Sequence, residues 1–294
     1  MENIQTKTVS EANLVYKHKL KPVEVRNLWL SRIFIWICIA ITLFPILAVF
    51  SASMAKGDAF AQGSIFPEVW SFENYRKVIK ETDFLIWVKN SIYVCTTVSV
   101  VQLFITITAA YAFSRMKFAG RKNGLLTLLI LQMFPSMMSI TAILSIAYKF
   151  GFMDKLWALI LLMIGGSAYQ IWLFKGYIDG IPRELDEAAM VDGASHWTIF
   201  RKIILPLSRP MMAVTFLFCF IGVYGEFVLT SALIKDGSMY TLAIGLQTFI
   251  NNQFSTRWTQ YSAAAIMASL PVMIIFMLLQ KFIAKGLVAG AVKE

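Results

Sequence analysis

Long apolar blocks without charge alternate with short polar connectors along this chain. Ile33–Ala55 runs 23 residues without Asp, Glu, Lys or Arg, Asn90–Ser114 runs 25, Asn123–Tyr148 26, Leu156–Phe174 19 and Trp258–Gln280 23. A bilayer core about 30 Å thick is crossed by roughly 20 apolar helical residues. A sixth block, Met211–Ile234, is apolar apart from Glu226. The pattern predicts an all-α membrane protein with six transmembrane helices at 33–54, 90–113, 124–148, 156–178, 211–234 and 260–283. Pro45, Pro135 and Pro271 fall inside these spans, as packing kinks or as hinges. Gly237–Thr256 is a further 20 residues without charge. Ser238, Thr241, Gln247, Asn251 and Asn252 would place hydroxyls and amides in lipid, so a partly helical outer or re-entrant segment is expected there.

Composition narrows the class. The 294 residues are 58% hydrophobic and only 15% charged, against roughly 25% charged in soluble domains. That excludes a cytosolic enzyme and a secreted disulfide scaffold. Cys38, Cys95 and Cys219 lie singly inside apolar blocks and read as small packing residues. About 32 polar residues precede the first block, far more than a signal peptide carries, so Ile33–Phe50 reads as a first span. The net charge of +10 comes without a basic stripe interleaved with aromatics, which argues against nucleic acid. Against the six-span frame, eighteen Lys and Arg fall on the side of both termini and the second and fourth loops, and nine on the other. The bias predicts cytoplasmic N- and C-termini.

Glu226 is the one carboxylate well inside a span, and no Lys, Arg or His accompanies it at depth. Ion-coupled carriers use buried ionisable groups or unwound ion sites. No G-x-x-x-x-G-K-[ST] loop is present to cradle nucleotide phosphates. Energy for uphill transport must therefore come from another subunit, which needs a surface to grip.

Residues 181–210 offer one. Pro182 suits a first helical position, and Glu184, Asp186 and Glu187 favour the positive end of a helix. Leu185, Ala188 and Ala189 share one shallow face. Gly193 can turn the chain. A second helix comes next, with Trp197, Phe200, Ile203, Ile204 and Leu207 on one stripe, expected to close at Pro206 and Pro210. His196, without a second ligand nearby, reads as an exposed helix residue.

The run Glu187-Ala188-Ala189, then Asp192-Gly193-Ala194, Phe200, Ile203, Leu205-Pro206 and Pro210 resembles the "EAA" loop of permease subunits in ATP-binding-cassette importers. The resemblance implies a type I importer permease architecture in which 181–210 forms the coupling helices. Ala188 and Ala189 would pack in a cleft of the ATPase, Glu187 would meet a basic group there, Asp192 completes the motif, and Gly193 would set the turn. Tyr240–Leu246, Asn251–Phe254 and Gly286–Lys293 are further similar to the smaller permease of maltose/maltodextrin importers. This implies contact with a sugar-binding protein through Asn251, Asn252, Gln253 and Phe254, and a C-terminal tail that reaches toward the ATPase. Residues 1–32 and 286–294 are then cytoplasmic segments flanking a permease domain at 33–285.

The resemblance implies half of a translocation pathway in a bacterial or archaeal cell membrane. A second homologous permease completes the pathway, two ATPase subunits bind ATP and Mg, and an extracytoplasmic protein delivers the sugar. No cofactor and no metal are expected on this chain. Tyr111, Gln132, Tyr224 and Glu226 are candidates for the substrate pathway, each with a packing role as the alternative. Rival readings are a permease for a uronate oligosaccharide, glycerol phosphate or amino acid, an ion-coupled carrier acting alone, and a scaffold without transport.

Overall fold

The computed structural model describes residues 21–57, 66–67, 69–165, 168–251 and 257–291. Helix dominates; among the described residues the only extended pairing is an isolated bridge between Ala55 and Trp70. The chain divides into two compact units, one ending at Ala48 and the other beginning at Val49. The first holds most of helix α1 (Pro22–Met54), whose last residues fall in the second and which starts before residue 33. Lys21 N–H donates to the Glu24 carboxylate at 2.8 Å, so the acid satisfies a donor that the helix start leaves free.

The second unit contains the remaining helices. α2 (Glu73–Glu81) is a short amphipathic helix in the first connector. α3 (Phe84–Arg115) is the spine. At 1.5 Å per residue its 32 residues extend roughly 48 Å. α4 (Arg121–Gln132) and α5 (Ser136–Lys149) come next, then α6 (Leu156–Met163) and α7 (Ala168–Asp179). The 181–210 connector holds α8 (Glu184–Val191), α9 (His196–Ile199), a π-turn (Phe200–Ile204) and α10 (Leu205–Leu207). α11 (Arg209–Tyr224), α12 (Val228–Leu233), α13 (Leu242–Gln247) and α14 (Trp258–Ala291) complete it.

Among the described residues, three helices are each long and apolar enough to cross a bilayer unaided: Pro22–Met54, Phe84–Arg115 and Trp258–Ile283. The other three expected spans are each interrupted. The segment 124–148 splits into α4 and α5 around Met133–Pro135, where Pro135 can donate no backbone hydrogen bond. The segment 156–178 splits into α6 and α7, and 211–234 splits at Gly225–Phe227. Pro45 and Pro271 interrupt nothing and lie inside continuous helices. The described part of Gly237–Thr256 forms no span-length helix. A 3₁₀ turn (Gly237–Met239) and six-residue α13 occupy its described part.

α3 contributes to three successive cores. Phe84 and Trp87 pack with Val78, Leu242, Phe249 and Ala264. Val94 and Val98 pack with Leu159, Cys219 and Leu233. Ile107, Ala110 and Tyr111 pack with Phe174, Ile178, Ile199, Phe200 and Ile204. The positions recur every three or four residues, one face of a helix. Several polar side chains on α3 serve backbone groups. Gln102 Nε2 donates to the Met163 carbonyl at 3.2 Å, which the break after α6 leaves without an intrahelical donor.

Candidate functional site

The 181–210 connector is the most elaborated surface of the second unit. α8 carries Glu184, Asp186 and Glu187 in its first turn. Glu187 is exposed, but Asp186 turns inward and meets Arg115, the last residue of α3. Arg115 Nε lies 2.6 Å from Asp186 Oδ2, with the two side chains only 5% and 7% exposed. Arg115 Nη2 donates to the Ile181 carbonyl at 2.7 Å, which pins the chain before Pro182. The contact is ionic rather than a matched fork, since Arg115 Nε and Nη1 and Asp186 Oδ1 make no hydrogen bond. A buried pair without full hydrogen bonding is held chiefly by charge.

Neighbouring polar contacts anchor the same end of α3. Ser114 donates to Asp179 at 2.6 Å, and Lys175 pairs with the same carboxylate. Arg121 Nε and Nη2 donate to the carbonyls of Phe113 and Ser114, both at 2.9 Å. The Tyr111 hydroxyl donates to the His196 carbonyl at 3.1 Å, and its ring lies 5.1 Å from that of Phe200. Tyr111 is therefore buried against the start of α9, at the connector end of α3. His196 itself is exposed.

What remains outside is the face that the motif marks. Leu185, Glu187, Ala188, Asp192 and Gly193 are exposed, and Ala189 is half-buried against the core. Val191, at 89% exposed, and Leu185 and Trp197 leave apolar surface grouped on one connector rather than scattered singly, as docking surfaces do. Gly193 sits at φ +79°, where a side chain is strained, and its N–H returns to the Met190 carbonyl at 3.0 Å. Ser195 then caps α9 by accepting from Thr198 N–H at 3.3 Å.

The expected second stripe divides. Phe200 and Ile204 are buried, while Trp197 is 62% exposed and Leu207 is exposed as well. Pro206 does not close the helix. Lacking an N–H, it cannot bond the Lys202 carbonyl; the turn before it widens into a π-turn with Leu205 N–H reaching the Phe200 carbonyl. The helix runs on to Leu207 and bends by 76° into α11 at Ser208. Ser208 N–H bonds the Ile204 carbonyl and its own carbonyl accepts from Met212, both at 2.9 Å, so connector and span join without slack.

A second constellation sits at the helix breaks. Gln132, at the end of α4, accepts from Tyr169 N–H at 3.0 Å on α7. Tyr169 and Trp172 stack at 6.1 Å and are both exposed. Glu226, between α11 and α12, accepts from Leu229 N–H at 2.7 Å and Thr230 N–H at 3.0 Å. It caps α12, and it also lines a cavity of about 390 Å³ with Ile140, Leu162, Met163, Gly222 and Val228. The structure thus brings Glu226 beside the end of α6. Tyr224 donates its hydroxyl to the Ala268 carbonyl at 2.6 Å and lines a separate cleft with Phe227, Leu242 and Gln247.

The 237–251 segment is tied down. Asn90 Nδ2 donates to the carbonyls of Ser238 and Tyr240, and Leu242 N–H donates to Ser91 Oγ at 2.7 Å. A Cβ on Gly245 would lie 2.2 Å from the Trp87 ring, so only glycine fits. Asn251 is exposed; Asn252, Gln253 and Phe254 lie outside the described residues.

Sequence reasoning missed Arg115, Asp186 as a buried residue, Gln102, and the Tyr169–Trp172 pair. Asp186 carried a faint signal in its spacing, three residues before Ala189 on the same helix face. Among the described residues no group of three His, Cys, Asp or Glu could hold a metal ion.

Residues 102–288 match the family model described as "Binding-protein-dependent transport system inner membrane component". The chain is 38% identical over 262 residues to the maltodextrin transport system permease protein MdxG of Bacillus subtilis, covering 89% of this chain and 94% of that one. It is 37% identical to the maltodextrin permease MalD of Streptococcus pneumoniae, covering 86% and 91%. It is 35% identical to the maltose/maltodextrin permease MalG of Escherichia coli K12, covering 91% and 96%. A chain of a solved bacterial transporter that imports the acidic polysaccharide alginate superposes with a TM-score of 0.76, at 23% identity, over 89% of this chain and 98% of that one.

Proposed function

The chain belongs to the family of binding-protein-dependent transport system inner membrane components, and from that premise we propose that it forms half of the translocation pathway of an ATP-driven importer of maltose or maltodextrin. It is a multi-pass membrane subunit of a transporter, not an enzyme. The observation that carries the coupling role is the buried Arg115–Asp186 pair, which locks α8 to the spine while leaving its Ala188 face exposed. An ATPase gripping Glu187, Ala188, Ala189, Asp192 and Gly193 pulls on α3 through that pair and on α11 through the Ser208 elbow. Nucleotide and magnesium belong to that partner. The orientation follows the bias of Lys and Arg, with the 181–210 connector and both termini in the cytoplasm of a bacterium or archaeon.

A second permease of the same fold closes the pathway, and closure of two ATPase subunits rocks the pair between inward- and outward-facing states. An extracytoplasmic sugar-binding protein docks at the opposite end, where Asn251–Phe254 meets it. The helix breaks line the route. Tyr169 and Trp172 offer aromatic faces and Gln132 a neutral amide beside them, the chemistry a sugar needs. Among the described residues, the cavity at Glu226 has a carboxylate and no cation on its wall, which favours a neutral cargo over a uronate or a phosphate ester. Glu226 spends its oxygens on the start of α12, which leaves a solitary ion-coupled carrier without its ion site.

The test is reconstitution in vesicles with and without the second permease, ATPase and binding protein. Labelled maltose accumulates against a gradient only in the full assembly with ATP. Accumulation by this chain alone overturns the reading.

A further inference from the structure

Where α3 ends and α4 begins, a cleft of about 670 Å³ is lined by Phe113, Lys117, Phe118, Arg121, Lys122 and Lys175, with Gly120 and Asn123 between them. Four cations share one opening, and among the described residues no carboxylate lines it. The nearby acid, Asp179, is held by Ser114 and partly neutralises Lys175. Arg121 is fixed in the wall by its bonds to the Phe113 and Ser114 carbonyls. Lys117 and Lys122 are exposed and, among the described residues, form no ion pair.

This arrangement costs the free protein twice. Like charges repel at short range. In addition, Arg121 and Lys122 open α4 with no acid in its first turn, which sets cations against the positive end of a helix dipole. An anion in the cleft offsets both. The chain beyond the cleft says what kind of anion. Leu126 and Ile130 succeed Lys122 at steps of four residues, on the same face of α4, and are 58% and 59% exposed. A phosphate over Lys117 and Lys122 would therefore stand at the head of an apolar strip.

We propose that this cleft binds the phosphate headgroup of an anionic phospholipid, with acyl chain laid along Leu126 and Ile130. The site adjoins Arg115 in sequence and shares the carbonyls that steady the end of α3, so an occupied cleft stiffens the spine at the point where α8 is latched. The inference rests on the chain being a membrane protein and not on its cargo or its ATPase.

The experiment uses the full-length chain in a neutral detergent, without nucleotide or sugar, and counts bound lipid by native mass spectrometry. Phosphatidylglycerol is expected to bind and phosphatidylcholine to bind far more weakly. Replacing Lys117→Ala and Lys122→Ala together is expected to weaken phosphatidylglycerol roughly thirtyfold, from about fivefold per cation near a lipid surface. Lys117→Arg with Lys122→Arg keeps the binding, and Lys149→Ala with Lys155→Ala leaves it unchanged. Lys122→Glu, read beside the unfolding temperature, separates loss of the site from loss of the fold. Equal binding of both lipids, or undiminished binding by the folded alanine pair, overturns the proposal. Displacement of the lipid by millimolar inorganic phosphate assigns the cleft to a free anion and overturns the lipid.

Discussion

The connectors at 181–208 and 235–251 both mix short helices with apolar side chains, yet they use them in opposite ways. In the second, Thr241, Leu242, Ile244, Gly245 and Phe249 are all buried, and Asn90, Ser91 and Trp87 of the spine receive them. In the first, Leu185, Val191 and Trp197 stay exposed while a buried ion pair, the hydroxyls of Tyr111 and Tyr177, and the buried Ile199, Phe200 and Ile204 hold the frame. One segment is an anchor that completes its own core. The other leaves its apolar area uncovered. Apolar content alone does not distinguish them; what the chain leaves uncovered does.

The sharpest way to break this contrast is Gly193→Asp. Its φ of +79° belongs to the turn between α8 and α9, and a side chain there tilts the presented face without touching any buried contact. ATP-driven uptake is expected to disappear while the amount of protein in the membrane stays normal. Near-normal uptake would remove the coupling role.

Arg115→Met leaves Asp186 buried and unpaired, and is expected to cost about 3–5 kcal/mol in an unfolding measurement. Arg115→Met with Asp186→Leu should regain most of that stability, because the stranded charge is gone. If the double change restores uptake as fully as stability, the pair is scaffolding and not a transmission joint.

Gly245→Ala tests the anchor. With a Cβ 2.2 Å from Trp87, the change should destabilise by about 1–3 kcal/mol, as overpacking does. Uptake should fall only in proportion to folded protein, with the ATP consumed per sugar unchanged. A shift in that ratio would make the anchor part of coupling.

The smallest effect concerns acid. Asp154, at φ +55°, accepts from the N–H groups of Lys235 and Asp236, and these bonds hold its carboxyl below the usual carboxylate range. A depressed folded pKa gives stability that is present above the unfolded value of about 4 and lost as pH falls through the folded one. Asp154→Asn tolerates the same backbone and should flatten that acid limb in a thermal series. An unchanged limb would show that other carboxylates set it.

Much of the outline was legible along the chain. Charge-free blocks marked membrane segments because lipid tolerates little else, and the Glu187–Pro210 pattern marked the presented connector. Asn90, Ser91 and Gln102 were less legible, since a polar residue inside an apolar block looks the same whether it faces a channel or bonds a neighbour's backbone. Tyr111 is the clearest case. Its sequence position suited a channel wall or a packing role alike, and its hydroxyl bonds the His196 carbonyl.

By itself, the order of residues determined that this chain lies in a membrane, that it lacks a nucleotide cradle, and which connector carries the Glu187–Pro210 pattern. Hydropathy, glycine conformation and a missing phosphate loop are local properties, readable without neighbours. Only the folded molecule decided that Asp186 turns inward to Arg115 and that four cations gather at one mouth. It also decided that three apolar blocks break, one at Pro135 and two where Gln102 and Glu226 serve freed backbone groups. Those facts depend on which helices lie side by side, and the energy of a buried charge or a broken helix is set by what stands next to it in space.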